Sequence, residues 1–529
     1  MPWLRVILPL AMLLILGVPF LLRPAGVGEK DVPAEQTVVI VTPHVTQLRY
    51  EFELGFGRWH QRVYGKPARV VWLVPGGTSE IVKQLQAKYN AALRTGEIKP
   101  DGSCEAGTIP IDLMFGGGSF DHTRLKNGDG VEIEVADSAG GLAKKVKISM
   151  SVPARFSKEQ LDGWFGENLV GVQNLYDPGQ YWMGTALSGF GIVYNRELVA
   201  KLDLPEPAAF EDLCRPEYFG WIGLADPRQS GSVTTTFDAI LSSSKWTQGW
   251  RILRDMTANA RYFTNSSTKP PIDIGQGDAA AGLAIDFYGR NQSQSILRDG
   301  QDPATSRVGY VDPKGAVSID ADPASILRGG PNPVMATRFV EFCLTEEGQA
   351  LWQFRPSTDS ASAGNPVGAD GVKMGPERYS LRRMPVRRVM FEKYWSHLTD
   401  QVNPFELASK TKPAGWRNAI GIMMGAFAID TADEQREAAA ALRAARGRAG
   451  FPAQTLSEME GLFYAFPSQT MVDGRTLEFT EANFSAFKEH WRDAERTSLA
   501  KVDYTTFFRA NYRRIVELSR SSGVVAGSR

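Results

Sequence analysis

Between Thr37 and Phe115 three short runs rich in β-branched and apolar residues (TVVIVT, RVVWLV, IDLMF) alternate with stretches of helical spacing. That alternation restricts the chain to a sheet of parallel strands covered by helices. The first run, Thr37–Thr42, stops at Pro43-His44, and Leu48, Phe52, Phe56 and Trp59 then recur on one face of a helix over Gln47–Tyr64. The second, Arg69–Val74, breaks at Pro75-Gly76-Gly77 before a helix beginning at Ser79. The third, Ile111–Phe115, runs into Gly116-Gly117-Gly118-Ser119. Ligands of such sheets gather beyond the carboxyl ends of the strands, which makes His44, Gly117, Gly118 and Ser119 candidate site residues. His44 taken alone defines no site.

The stretch Ile222–Leu241 repeats the pattern with more chemical content. Ile222–Ala225 is a short buried strand that turns at Asp226-Pro227, and Ser230-Gly231-Ser232 opens a helix with Val233, Phe237, Ile240 and Leu241 on one face. First-turn N–H groups lack partners within the helix, and its dipole favours negative charge there. With no side chain at Gly231, an oxyanion can approach those amides, and Ser230 and Ser232 add hydroxyl donors. An ordinary N-cap is the plain alternative.

The remaining chain reads as follows. Asn127–Ser149 is charged, alternating and glycine-rich, as in an inserted hairpin, and Tyr181–Asn195 and Val317–Ile319 read as crossings between lobes. Trp246–Ala260 is a helix, Tyr262–Ser267 a strand, Gly275–Ala281 a small-residue helix, and Leu283–Tyr288 a strand with Asp286 and Tyr288 at its end. Two helices fill Pro331–Trp352, the second capped by Thr345. Farther on, Gly421–Ile429, Asp433–Arg448 and Thr480–Arg520 have helical spacing.

At 529 residues the chain exceeds one compact core. Its 59 basic and 59 acidic residues balance, which gives no reason to expect nucleic acid as a partner. Cys104, Cys214 and Cys343 lie far apart, against a zinc ribbon or a disulfide-stapled scaffold; one bridge or three free thiols are both open. An apolar run from Val6 to Leu22 predicts an uncleaved anchor within residues 1–28, with a cleaved signal peptide as the alternative. Nucleophile-elbow, Walker and HExxH motifs are all missing, and none of the five histidines pairs with another at metal-ligand spacing on a helix. Catalytic residues are therefore not assigned.

Four segments in series resemble the periplasmic solute-binding proteins of ABC transporters, in the ferric-ion, phosphonate and phosphosugar branch. They are YWMGTALSGFGIVYNREL (Tyr181–Leu198), IGLADPRQSGS (Ile222–Ser232), TNSS with GDAAAGLAIDFY (Thr264–Ser267 and Gly277–Tyr288), and Val308–Trp352. The resemblance spans roughly Thr37 to Trp352 and stops short of the C-terminal third. It implies a two-lobed α/β fold of type II with hinge crossover strands: residues 37–185 and 314–400 as lobe 1, 186–313 as lobe 2, and 401–529 as a C-terminal helical extension. It also implies that Ser230, Gly231 and Ser232 hold an oxyanion, with Asn265 and Ser266 contributing. Ferric members carry consecutive tyrosines where this chain has Phe287-Tyr288. One phenolate is thus missing, although His44, Asp286 and Tyr288 leave a partial set for a hard ferric ion. The expected function is capture of a small anion, an organic phosphate or phosphonate, by hinge closure outside the cytoplasm, followed by delivery to an ABC permease of the inner membrane. The chain is expected to act as a monomer without a cofactor. Ferric iron as ligand and a membrane-tethered sensor are the alternatives.

Overall fold

The computed structural model describes residues 32–135, 144–297, 305–368 and 371–521. In the first lobe β1 (Thr37–Val41) lies parallel to β2 (Arg69–Leu73) on one side and β3 (Leu113–Phe115) on the other. α1 (Thr46–Tyr64), α2 (Thr78–Thr95) and α3 (Ser119–Asn127) follow these strands in turn. The strand–helix alternation of the sequence is therefore realised within one or two residues at each boundary.

β4 (Met183–Asn195) is thirteen residues long and buried throughout. Its first half pairs antiparallel with the strand Ile319–Ile326, from Gly184↔Pro323 to Gly189↔Ile319. Its second half, Phe190–Tyr194, pairs with Ile285–Ala281 instead. The second lobe is built on β5 (Ile222–Ala225), β6 (Ala260–Thr264) and β7 (Ala281–Ile285), mutually parallel with β5 in the middle. β8 (Val308–Val311) pairs with the distal half of β4, β9 is Ile319–Ile326, and β10 (Met384–Pro385) adds to the proximal half. The order β2-β1-β3-β9-β4-β7-β5-β6 is thus one continuous ten-stranded sheet whose two ends belong to different lobes. The chain crosses between lobes at Gly189–Phe190 and returns through Asp312–Ser318.

The helices of lobe 2 are α4 (Gly231–Ser244), α5 (Trp246–Ala258), α6 (Lys269–Gln276) and α7 (Asp286–Ser295). Two boundaries differ from the sequence reading. The helix expected at Gly275–Ala281 lies earlier, because Pro270 fits the first turn, where no N–H is needed, and Gly277 ends the helix in a left-handed conformation (φ +91°). The strand expected to reach Tyr288 ends at Ile285, and Asp286 starts α7. α8 (Pro333–Cys343) and α9 (Glu346–Gln353) return to lobe 1, and the Thr345 hydroxyl caps α9 by accepting from the Gly348 N–H at 3.0 Å. The inserted hairpin is present, with Glu132 opposite Lys147.

The C-terminal helices are α10 (Arg417–Met424), continued by a π-helical turn at Gly425–Ile429, α11 (Ala432–Gly447), α12 (Ala453–Tyr464) and α13 (Ala494–Ser521). α12 had no counterpart in the sequence reading. The single helix expected over Thr480–Arg520 is two, because Asp493 accepts from the Arg496 N–H (2.8 Å) and starts α13 anew. These helices do not stand apart from lobe 2. Phe237, Trp250 and Leu253 share one apolar core with Met423, Phe427, Phe508 and Tyr512. Lobe 1 has its own core, with Phe52, Phe56, Phe115, Phe339 and Trp352 on one face of its sheet and Ile81, Leu85 and Tyr89 on the other.

All three cysteines are free thiols. Among the described residues no helix is long and apolar enough to cross a membrane, and the expected anchor at 1–28 lies outside them. Phe508 is fully buried against Phe427 (ring centroids 5.8 Å). Phe508→Ala should therefore cost about 3–5 kcal/mol, read as a lower urea midpoint of the transition that reports lobe 2 as well as α13. A transition confined to the C-terminal helices would contradict a common core.

Candidate functional site

The carboxyl ends of the parallel strands of both lobes open onto one cleft of about 650 Å³. From lobe 1 it is lined by the turn after β1 (Pro43–Gln47), the start of α2 (Gly76–Thr78) and the turn after β3 (Gly117, Gly118). From lobe 2 it is lined by the start of α4 (Gln229–Gly231), the turn after β6 (Asn265–Thr268), and Ile285 and Tyr288. Ser188, Phe190, Asp320, Ala321 and Asp322 of the crossover strands form the floor, with Arg383 beside them.

Several helix N-termini point into this space, and they differ in whether their donors are free. α4 is capped by Ser230, whose hydroxyl accepts from Val233 N–H at a long 3.5 Å. α2 begins with no side-chain cap, whereas α6 begins Lys269-Pro270-Pro271, with the Lys269 N–H on the Ser266 carbonyl (3.4 Å) and no N–H at either proline. The turn before α3 behaves otherwise. Gly117 N–H donates to Asp322 Oδ1 (2.8 Å) and Ser119 N–H to Asp320 Oδ2 (3.1 Å). Gly116 and Gly117 take positive φ (+94° and +111°), and a Cβ at Gly116 would collide with the His44 ring, so this corner requires glycine. Its conformation turns the amides onto the protein's own carboxylates.

A second group joins that corner to the floor. His44 Nε2 lies 3.3 Å from Asp322 Oδ2 and 3.2 Å from Arg383 Nη1, and Arg383 is ion-paired with Asp322. Arg383 also packs over the Phe287 ring at 3.9 Å. Burial, with the Arg383 and Arg49 charges adding to it, holds the His44 pKa well below that of a free imidazole, so the ring is neutral. Burial lowers Arg383 to about 10, which leaves it charged at neutral pH. His44 Nδ1, Asp320 Oδ1 and Arg383 Nε are buried without hydrogen-bond partners. Such groups are costly unless something pairs with them.

Of the residues singled out from sequence, His44, Gly117, Gly118, Ser230, Gly231, Asn265, Ser266 and Tyr288 line the cleft. Ser119 faces a neighbouring cavity of about 390 Å³ on the hinge side. Asp286 is not brought to the wall: it is fully buried and its Oδ2 lies 3.4 Å from Arg290 Nη1. Because α7 begins at residue 286, this carboxylate turns under the helix rather than out of a strand end. The Ser232 side chain lies outside the described residues. Sequence reasoning missed Thr78, Asp320, Asp322, Arg383 and Arg417. Gly76-Gly77-Thr78 carries the same glycine-and-hydroxyl signal as Ser230-Gly231 and was findable; the others have no local signature.

Arg417, from α10, reaches the edge of the cleft. Its Nη2 donates to the Gly231 carbonyl and its Nη1 to Thr235 Oγ1, both at 2.8 Å, while its guanidinium packs 4.5 Å over Phe120 of lobe 1. The lobes also meet at Gly231 itself: a Cβ there would approach Asp121 Oδ2 of α3 to 2.6 Å.

Burial raises the Asp286 pKa to about 7, partly opposed by the attraction of Arg290. The unfolded chain releases this proton near 3.8, the ordinary value for an aspartate, whereas the folded chain keeps it until about 7. The folded state binds more protons between these limits, so this group makes stability fall as pH rises through that window. Asp286→Asn should remove that part of the slope, seen as a flatter dependence of the urea midpoint on pH from about 4 to 7 than in the wild type. An unchanged slope would show that Asp286 is ionised throughout.

Residues 164–368 match the model of the family described as bacterial extracellular solute-binding proteins. The phosphoglycerate transport regulatory protein PgtC of Salmonella typhimurium is 27% identical over 169 residues, 32% of this chain and 40% of that protein. The chain thus spans about two-fifths of the length of that curated relative. An uncharacterized protein of Haemophilus influenzae is 25% identical over 217 residues, 39% of this chain and 59% of its own. Among solved structures, the periplasmic binding protein AfuA of Actinobacillus pleuropneumoniae with fructose-6-phosphate bound aligns with TM-score 0.43 and 17% identity, over 59% of this chain and 81% of that one. The apo ferric ion-binding protein A of Pasteurella haemolytica aligns with TM-score 0.47 and 13% identity, over 74% and 96%. Likenesses at that level assign neither ligand nor partner. On the match over residues 164–368, this chain is similar to the bacterial extracellular solute-binding proteins, as the motifs of its two lobes implied.

Proposed function

We propose that the chain is the extracytoplasmic solute-binding component of an ABC importer, which captures a small organic phosphate, phosphonate or similar anion between its lobes by hinge closure. The observation that carries this reading is the meeting of helix N-termini from both lobes, the uncapped α2 on one side and α4, under its long Ser230 cap, on the other, across a single cleft. Free first-turn amides and aligned dipoles favour an anion there, and Arg49 and Arg383 supply positive charge. Asp320 and Asp322, which would repel an anion, are screened by the amides of the α3 corner and by Arg383. Asp320 keeps one free oxygen, suited to a hydroxyl on the ligand body.

The geometry ranks this above ferric iron. The donors left for iron are dispersed: Asp286 is buried with Arg290, His44 is engaged by Asp322 and Arg383, and Tyr288 remains at the wall. Among the described residues no group of three His, Cys, Asp or Glu side chains could hold a metal ion. In the full reading the chain acts as a monomer, tethered to the inner membrane through residues 1–28, and offers its closed form to a permease.

Binding from two lobes predicts two separate losses. Thr78→Val in lobe 1 and Ser230→Ala in lobe 2 should each weaken binding of the best ligand about 5–30-fold, or about 1–2 kcal/mol, in calorimetric titration. The panel is inorganic phosphate, a hexose phosphate, an alkylphosphonate and ferric citrate. Ser230→Ala should also cost about 1 kcal/mol of stability as a lost cap, whereas Thr78→Val, outside any cap, should not. Tight binding of ferric citrate alone, or loss of affinity from one lobe only, contradicts the proposal.

A further inference from the structure

A further cavity, of about 740 Å³, lies away from the cleft where α5 of lobe 2 meets the segment after α12. Its walls are Trp246, Trp250, Tyr464 and Phe466, with Thr247, Thr480 and Glu481 among its other lining residues. Arg254 also lines it, and this arginine is fully buried. Its Nη2 donates to the Phe463 and Ala465 carbonyls. Its guanidinium lies against the Phe508, Phe427 and Phe466 rings at 4.6, 4.8 and 5.2 Å. Among the described residues no carboxylate pairs with it; the adjacent Asp255 accepts from the Tyr464 hydroxyl at 2.7 Å instead. Ring faces attract a cation but take its N–H groups only weakly, and Arg254 Nε and Nη1 have no hydrogen-bond partner among nitrogen and oxygen atoms. Trp250, 1% exposed on the same wall, leaves its indole Nε1–H unpartnered as well.

Three orphaned donors and no orphaned acceptor therefore border one cavity. A fully buried charge without a paired carboxylate is expensive, and so is an unmatched buried N–H. An occupant that relieved all of these would bring acceptor oxygens and negative charge at one end. Trp246, Trp250, Tyr464 and Phe466 supply aromatic faces beside Thr247, Arg251, Thr480, Glu481 and Ala482, and those faces favour a flat ring stacked on Trp246 and Phe466. The cavity also falls within the size range of small-molecule sites.

We infer that this cavity is a second ligand site, which takes an aromatic carboxylate with its carboxylate toward Arg254 and Trp250 Nε1 and its ring between Trp246 and Phe466. The site belongs to the shared core of lobe 2 and the C-terminal helices, so a ligand there would hold the two together without entering the cleft.

The test is calorimetric titration of the full chain with benzoate, 4-hydroxybenzoate and indole-3-acetate, each beside its uncharged amide. At least one acid should bind saturably, its amide at least about tenfold more weakly. Trp250→Phe keeps the ring and removes only the N–H, and should weaken the acid about threefold or more; Arg254→Met should abolish the preference for acid over amide. Ser230→Ala and excess inorganic phosphate should leave this binding unchanged, which separates it from the cleft. The inference is overturned if none of the three acids binds at millimolar concentration, if acid and amide bind alike, or if Trp250→Phe binds as the wild type does. Should Arg254→Met fail to fold, the amide comparison and Trp250→Phe still decide.

Discussion

The structure depends on one strand that serves both lobes of a single continuous sheet. Met183–Asn195 is buried along its whole length, and its hydrogen-bond partner changes at Gly189–Phe190 from the lobe 1 crossover strand to the lobe 2 strand Ala281–Ile285. A buried strand must have its backbone groups paired, so neither lobe can slide along it without breaking a ladder. Rotation about the point of exchange is the motion left. That point, with Asp320 and Asp322 on the returning strand, is the floor of the cleft. Any ligand seated there touches both lobes and the hinge together.

Parallel strands on either side then place helix N-termini on opposite walls of the same space. They are not equivalent. The α3 corner directs its amides to Asp320 and Asp322 and so screens carboxylates that would otherwise repel an anion, whereas α2 has no side-chain cap and the α4 cap is long. The neutral His44 beside the Arg383–Asp322 pair completes a floor on which Arg383 offsets one of the two carboxylates. The C-terminal helices add a further constraint. They share the lobe 2 core, are tied to it by the Arg228–Asp430 pair at 2.9 Å, and send Arg417 across to Phe120. The proposed closure of the cleft would therefore involve a segment beyond the matched part of the chain.

Much of this was legible because its causes are local. Strand ends at Pro43, Pro75 and Gly116 were marked by residues that stop strands, and the Ser230 cap by a hydroxyl ahead of an apolar periodicity. Pro270-Pro271 misled in the opposite direction: it reads as a breaker, yet proline suits a first helical turn. Asp286 follows an apolar strand whose end only the tertiary pairing with β4 and β5 decides, so one misplaced boundary moved its carboxylate from wall to core. Arg383 and Arg417 lie far along the chain from everything they touch. Nothing near them in sequence separates them from the solvated arginines around them; their roles come from packing alone.

What remains to be tested is that an oxyanion sits between helix N-termini of both lobes. A crystal structure of the full chain with arsenate, which scatters anomalously and has the shape and charge of phosphate, tests it directly. The account predicts one strong anomalous peak in the cleft, within hydrogen-bond reach of the amides at Gly231 and of Thr78 on the facing wall. A peak held by one lobe alone, or none in the cleft while arsenate binds elsewhere, would contradict it.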